Sequence, residues 1–423
     1  MKIESLTNFI TNTINNETIT TGAYTVGSTI LDSFQEYSLP TRMGLALIIG
    51  TVTYLAPSYV LQKIIQSSKD AIQPKIAQVV SEPTKLIQEN SEVLGTTLPY
   101  QDETTLKKFI SVLEGLKIPS TYWNISSTNP NVLHIRLSWR ELEALAFFDE
   151  GARRYIPAYD MASNSSPYTD ISMMLPAFLA KAEDSLRKVP QPPQPSQMVQ
   201  DGQNFSIANA LREAPGLCIG EKHLQTNCKE FLIDHMDEFK ANGVTTLFME
   251  FLMYDTMQPF LDEYFASPGD EMPPLLKYFL RALDFKMLVI QQPGSYTNTV
   301  IAAKKAGIRV VGIDTSLSME AGYSSYNGSE LKPRCLGMNY VANDIIVKER
   351  GDGKFIAFMG GAHLSHSKDK DEADFTNAVP GIADLTGSRY MLVTKDRSFA
   401  EQLRGEYKEF HSPYGKITAF DVA

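Results

Sequence analysis

Two periodicities divide the chain. Up to residue 95, apolar residues recur at helical spacing in segments such as TILDSFQEY (29–37) and VLQKIIQSSKDAIQPKIAQVV (60–80), and no strand pattern interrupts them. This predicts a helical module over residues 1–95. Residues 96–188 are mixed. LKKFISVLEGLK and LSWRELEALAFFDEGARRYI read as helices, and the alternation of Leu133, Ile135 and Leu137 in VLHIRLSW begins as a strand. The run VPQPPQPSQ (189–197) then places four prolines among glutamines, which suits neither a packed helix nor a central strand. It predicts a linker over 189–205.

From residue 206 onward short β-branched runs alternate with helical segments. The strands are LCIG (217–220), VTTLFM (244–249), IRVVGI (308–313), KFIAFMG (354–360) and YMLVT (390–394). Asn227 and Glu230 form an N-x-x-E box before one helix, and Gly243 ends it. Thr297 or Asn298 caps VIAAKKA, Gly307 closes it, and SFAEQLRGEYKEF (398–410) reads as a last helix. The predicted fold is α/β, a mostly parallel sheet with flanking helices over 206–423, preceded by the helical module.

One apolar segment stands apart. MGLALIIGTVTYLAPSYVLQ runs from Met43 to Gln62 without a charge. It is near the minimum length for a spanning helix, and a buried bundle helix or a membrane-surface helix fits it as well. Composition changes the picture little. A net charge of −10 with no Lys/Arg-dense run speaks against nucleic acid as a partner. Cys218, Cys228 and Cys335 offer no Cys-x-x-Cys pair and read as free, buried residues.

In open parallel sheets, ligands sit beyond the carboxyl ends of the strands. Glu221 and His223 follow LCIG, Glu250 follows VTTLFM, Asp314 and Thr315 follow IRVVGI, and His363 follows KFIAFMG. In extended chain Glu221 and His223 point to the same side. Each has a plainer reading: Glu221 as a helix cap, His223 and His363 as loop residues, Glu250 as half of a buried pair. Their convergence at strand ends favours general acid/base chemistry, with Glu221 or Glu250 accepting a proton from water and His223 or His363 orienting that water or protonating a leaving group. Two close carboxylates are expected to split their pKa values. His134, His235 and His411 lie on patterned segments and read as structural, and His366 as solvated.

The strings GEKH (220–223), LFMEF (247–251) and GGAH (360–363) resemble the superfamily of erythromycin esterase, ChaN haem-uptake proteins and Tiki/TraB proteases. Within it the layout is most similar to the Ras/Rap-specific endopeptidase effector domain of multifunctional autoprocessing toxins and to the C-terminal region of the Pasteurella toxin. The resemblance implies a Tiki/erythromycin esterase-like fold and a hydrolase, a toxin-like endopeptidase. Glu221, His223, Glu250 and His363 match its functional positions. It also implies a protein substrate, small GTPases among the candidates. By architectural analogy it implies a membrane-surface role for residues 1–95, at the host cytoplasmic face of the plasma membrane. Resemblance to the toxin branch, which looks metal-independent, implies no cofactor. The Tiki branch is associated with a divalent metal, which here would fall to His223, Glu250 and His363. The alternatives are ChaN-like capture of haem or another ligand, and an inactive membrane-anchored interaction module.

Overall fold

The computed structural model describes residues 96–156, 169–189, 196–197, 205–324, 332–364, 379–394, 408–412 and 415–421. All of them belong to one compact unit. The expected helical module over 1–95, with its Met43–Gln62 segment, lies wholly outside them. Among the described residues no helix is long and apolar enough to cross a membrane.

The first strands form a small antiparallel sheet: β1 (Thr96–Pro99), β2 (Trp123–Ile125) and β3 (Val132–Ile135), in the order β1-β3-β2. Helices Glu103–Gly115, Trp139–Phe148 and Glu150–Tyr155 accompany it. Asp102 starts the first helix by accepting the Thr105 amide. Helix Thr169–Arg187 follows. Of the Pro/Gln stretch, residues 190–195 and 198–204 lie outside the described set, and Ser196–Gln197 form β4.

The main sheet is built from β5 (Gly216–Glu221), β6 (Val244–Met253), β7 (Arg309–Asp314), β8 (Lys354–Gly360), β9 (Arg389–Thr394), β10 (Lys408–Ser412) and β11 (Gly415–Asp421). Its order is β10-β11-β9-β5-β8-β6-β7. The five strands β9-β5-β8-β6-β7 are parallel. β11 runs antiparallel to β9 and β10, and β4 pairs with the end of β11. Strand β5 is central and buried along its whole length, as expected of a parallel strand covered on both faces.

Alternation along the strands separates two cores. Leu217, Ile219, Leu247, Met249, Ile356, Phe358, Met391 and Val393 face one. Cys218, Phe248, Val311, Phe355, Ala357, Met359, Tyr390 and Leu392 face the other. The first core also contains Phe109, Leu133 and Leu142 from the region before the Pro/Gln stretch, and the second contains Leu175 and Phe178. Apolar burial therefore joins residues on both sides of that stretch.

Local details depart from the sequence reading. Asn227 does not cap its helix: the N-cap is Thr226, and the Asn227 amide donates to Val393 O at 3.2 Å. The helix breaks at His235 into Asn227–Asp234 and Met236–Ala241. Neither Thr297 nor Asn298 caps the segment containing VIAAKKA; Ser295 does, accepting from the Asn298 amide. Gly307 closes that helix in the left-handed conformation, φ +69°. Residues 408–410, expected to end the last helix, begin β10 instead. Strand pairing with β11 overrides their helical pattern.

Candidate active site

β5, β6 and β8 are adjacent and parallel, so their carboxyl ends share one rim. Glu221 is the last residue of β5, Gly360 the last of β8, and a short 3-10 turn Gly361–His363 follows. Glu250 lies late in β6, where the pairing with β7 shifts register between Met249 and Met253. Phe251 takes a left-handed φ of +67° there, and its amide donates to Asp314 Oδ2 at 2.8 Å. The shift needs Gly312 on β7, because a Cβ there would lie 2.3 Å from Leu252 O. Non-glycine residues hold such a backbone only where surrounding contacts fix it.

Glu221 is buried and its carboxylate meets three donors. Oε1 faces His223 Nδ1 at 3.0 Å and accepts from the Tyr296 hydroxyl at 2.5 Å. Oε2 is paired with Lys229, a lysine with no exposed side-chain surface. His223 is partly open, with 41% of its side chain exposed. Burial pulls its pKa down, but the Glu221 hydrogen bond and the Glu250 and Glu221 charges outweigh that, and the net shift is upward. The ring packs edge-on against Phe251, centroids 5.1 Å apart. Its Nε2 lies 2.6 Å from where a Cβ on Gly360 would stand, and Glu250 Oε2 lies 3.4 Å from the same point. Gly360 thus leaves the space in which imidazole and carboxylate approach.

Glu250 is held on every side. Oε2 accepts from the Gly360 amide at 2.6 Å, and Oε1 accepts from Arg334 Nη2 at 2.8 Å. His363 Nε2 stands 3.5 Å from Oε1. Burial alone would raise this carboxyl; His363, Arg334 and His223 with the Gly360 amide bring it down to about 2. Burial lowers His363 to about 4, against the pull of Glu250. At neutral pH His363 is therefore uncharged, and Arg334 is the standing partner of Glu250. Arg334 also forks onto Asp314, at 2.5 and 2.9 Å. His363 Nδ1 meets Asn339 Oδ1 at 2.7 Å.

All four residues singled out in the sequence thus meet at one rim, through Glu221 to His223, His223 to Gly360 and Glu250, and Glu250 to His363. Sequence reasoning missed Lys229, Tyr296, Arg334 and Asn339. His134 and His235 lie elsewhere, bonded to Thr97 and Glu238. The cysteines are all buried and free. Burial holds the Cys335 thiol up at about 12 and pushes Cys218 and Cys228 up as well, so none carries a ready thiolate. Among the described residues no group of three or more His, Cys, Asp or Glu side chains is placed to hold a metal ion.

Known proteins with related sequence or fold can be set beside this geometry. The chain is 30% identical over 186 residues to the multifunctional-autoprocessing repeats-in-toxin of Vibrio vulnificus. That match covers 43% of this chain and 3% of the toxin's length. In structure it is similar to RRSP, a MARTX toxin effector domain from Vibrio vulnificus CMCP6, with a TM-score of 0.52 and 17% identity, over 99% of this chain and 92% of that one. A looser likeness, TM-score 0.47 and 12% identity, links 76% of this chain to 43% of a structure of the C-terminal region of Pasteurella multocida toxin, described as having a thiol-protease like catalytic triad. No protein-family profile matches. The fold resembles that of RRSP. These matches do not bear on the Tiki/TraB, ChaN and erythromycin esterase part of the resemblance.

Proposed function

We propose that this chain is a toxin-effector hydrolase, an endopeptidase acting on a protein substrate, with small GTPases the first substrate class to test. The observation that carries the reading is the Glu221–His223 hydrogen bond beside Glu250 at the carboxyl edge of a parallel sheet. Similarity to a multifunctional autoprocessing toxin supports the toxin context.

The contacts narrow the roles. Glu221 already faces three donors and has little capacity left to take a proton from water. Glu250, at about 2, is a weak base. His223 is the open, titrating group. In the proposed step His223 Nε2 takes the proton of a water attacking the peptide carbonyl, and the imidazolium returns it to the leaving amine. Ionised Glu221 orients the ring and stabilises its charged form, while Glu250 adds fixed negative charge beside it. A haem reading fits less well, because His363 is buried against Glu250.

Incubation of the full chain with a panel of small GTPases, read by intact mass, tests this. The native chain should cut one of them, and Glu221→Gln or His223→Ala should slow cleavage by about 100-fold or more. No cut in any panel member, or equal cutting by Glu221→Gln, would overturn the reading. Association of residues 1–95 with the cytoplasmic face of a host membrane belongs to the same proposal. It is tested by flotation of the full chain and of a chain lacking those residues on phosphatidylserine vesicles.

A further inference from the structure

We propose that Lys229 is a positioning residue, clamping the turn Glu221–Gln225 at both ends so that Glu221 Oε1 meets His223 Nδ1. The inference deepens the proposed acid/base role of His223 and rests on that reading.

His223 sits in the middle of a tight turn. Leu224 beside it is left-handed, φ +69°, and 56% exposed, so neither helix nor apolar burial holds the turn. The Gln225 amide closes it by donating to Lys222 O at 3.3 Å. Lys229 reaches across from the helix that follows. Its ammonium pairs with Glu221 Oε2 on one side of His223 and donates to Gln225 O, at 2.7 Å, on the other. The same nitrogen lies 4.7 Å from the Tyr296 ring centre and 5.8 Å from that of Phe358. Tyr296 in turn donates to Glu221 Oε1.

Lys229 stands in the first turn of its helix, where the peptide dipoles disfavour a cation, and its side chain is wholly buried. Both features cost stability unless a specific anion answers them. Glu221 is that anion. With Oε2 fixed by Lys229, only the Oε1 side remains for His223. The imidazole then keeps its proton on Nδ1, leaving Nε2 free as the working nitrogen.

The test is which ring nitrogen of His223 carries the proton, read in the full chain by long-range nitrogen–proton NMR at a pH where the ring is neutral. The native protein should show Nδ1–H. Lys229→Met should move the proton to Nε2, the form a free neutral imidazole prefers. Lys229→Gln, a gentler change, should shift it in the same direction. Glu221→Gln is the control: its amide, turned by Lys229, presents a donor to Nδ1 and so also puts the proton on Nε2. If Glu221→Gln moves the proton and folded Lys229 variants do not, Lys229 does not position the pair and the proposal is overturned. If even Glu221→Gln leaves it on Nδ1, the Glu221–His223 reading itself fails. If neither Lys229 variant melts cooperatively, Lys229 is a stability residue and the proposal is overturned.

Discussion

The Nδ1 of His363 meets the Oδ1 of Asn339 at 2.7 Å, and the Asn339 amide nitrogen donates to Pro380 O at 2.9 Å. The carbonyl of Pro380 can only accept, so it fixes which way the Asn339 amide points. Asn339 Oδ1 must then accept from His363, which places the proton on Nδ1 and turns Nε2 toward Glu250. Both Asn339 and His363 are buried. Asn339→Ala would orphan the His363 N–H and the Pro380 carbonyl together. It should destabilise the protein by about 1–3 kcal/mol. Urea unfolding measures this, and a midpoint equal to that of the native protein would show that the pair is replaced at no cost.

Arg334 joins two buried carboxylates, Glu250 and Asp314, with 12% of its own side chain exposed. Burial would lower its pKa, but the two anions hold it above the ordinary guanidinium value. Arg334→Leu leaves both carboxylates without a cation, and Glu250→Gln leaves Arg334 still forked onto Asp314. Arg334→Leu should therefore cost about 3–5 kcal/mol and Glu250→Gln clearly less. Chemical denaturation of the two variants ranks them. The reverse order would mean that Asp314 does not anchor the arginine.

Sheet class and strand positions were legible because parallel strands buried on both faces are short apolar runs, as in KFIAFMG. Glu221, His223, Glu250 and His363 were legible because each follows such a run. Their supports were not, since Lys229, Arg334 and Asn339 lie within helices whose apolar pattern hides them. A signal existed for two of them. Lys229 and Arg334 both stand near the start of a helix, where a cation opposes the dipole and implies a nearby anion. The break at His235 and the strand at 408–412 were illegible for another reason: tertiary pairing decided them.

Gly360 tests whether the approach of His223 to Glu250 matters. Its backbone, φ −61° and ψ 143°, suits any residue, so alanine brings no conformational strain. The new Cβ would lie 2.6 Å from His223 Nε2. The imidazole is partly exposed and can swing outward, so the fold should lose less than about 1 kcal/mol. If His223 is the proton carrier, turnover should fall by about 100-fold or more. A melting curve and a cleavage assay on one preparation check both halves. A large loss of stability would show that the ring cannot yield, and full turnover would show that its position is not critical.

The two site histidines should bend the pH–stability curve in opposite senses. His363 is held down to about 4 by burial, below the ordinary 6.5 that it regains on unfolding. The unfolded chain therefore binds a proton first as pH falls. Stability should decline from about 6.5 to about 4, by on the order of 3 kcal/mol for this group. His363→Gln should flatten that stretch. His223 is shifted upward, with burial opposed by Glu221 and Glu250. Its contribution is complete below 6.5 and is lost as pH rises through its folded value. His223→Gln should flatten the alkaline side instead, and by less, because the ring is 41% exposed and its charge is screened. Glu250, lowered from the ordinary 4.5 to about 2, adds its own decline from about pH 4.5 downward, so the His363 contribution is read from the stretch above about pH 5. Urea midpoints across pH 4 to 9 for the native chain and the two variants decide the matter. A steeper acid slope in His363→Gln, or an acid-side change in His223→Gln larger than its alkaline one, would mean that the charges around Glu250 are not arranged as described.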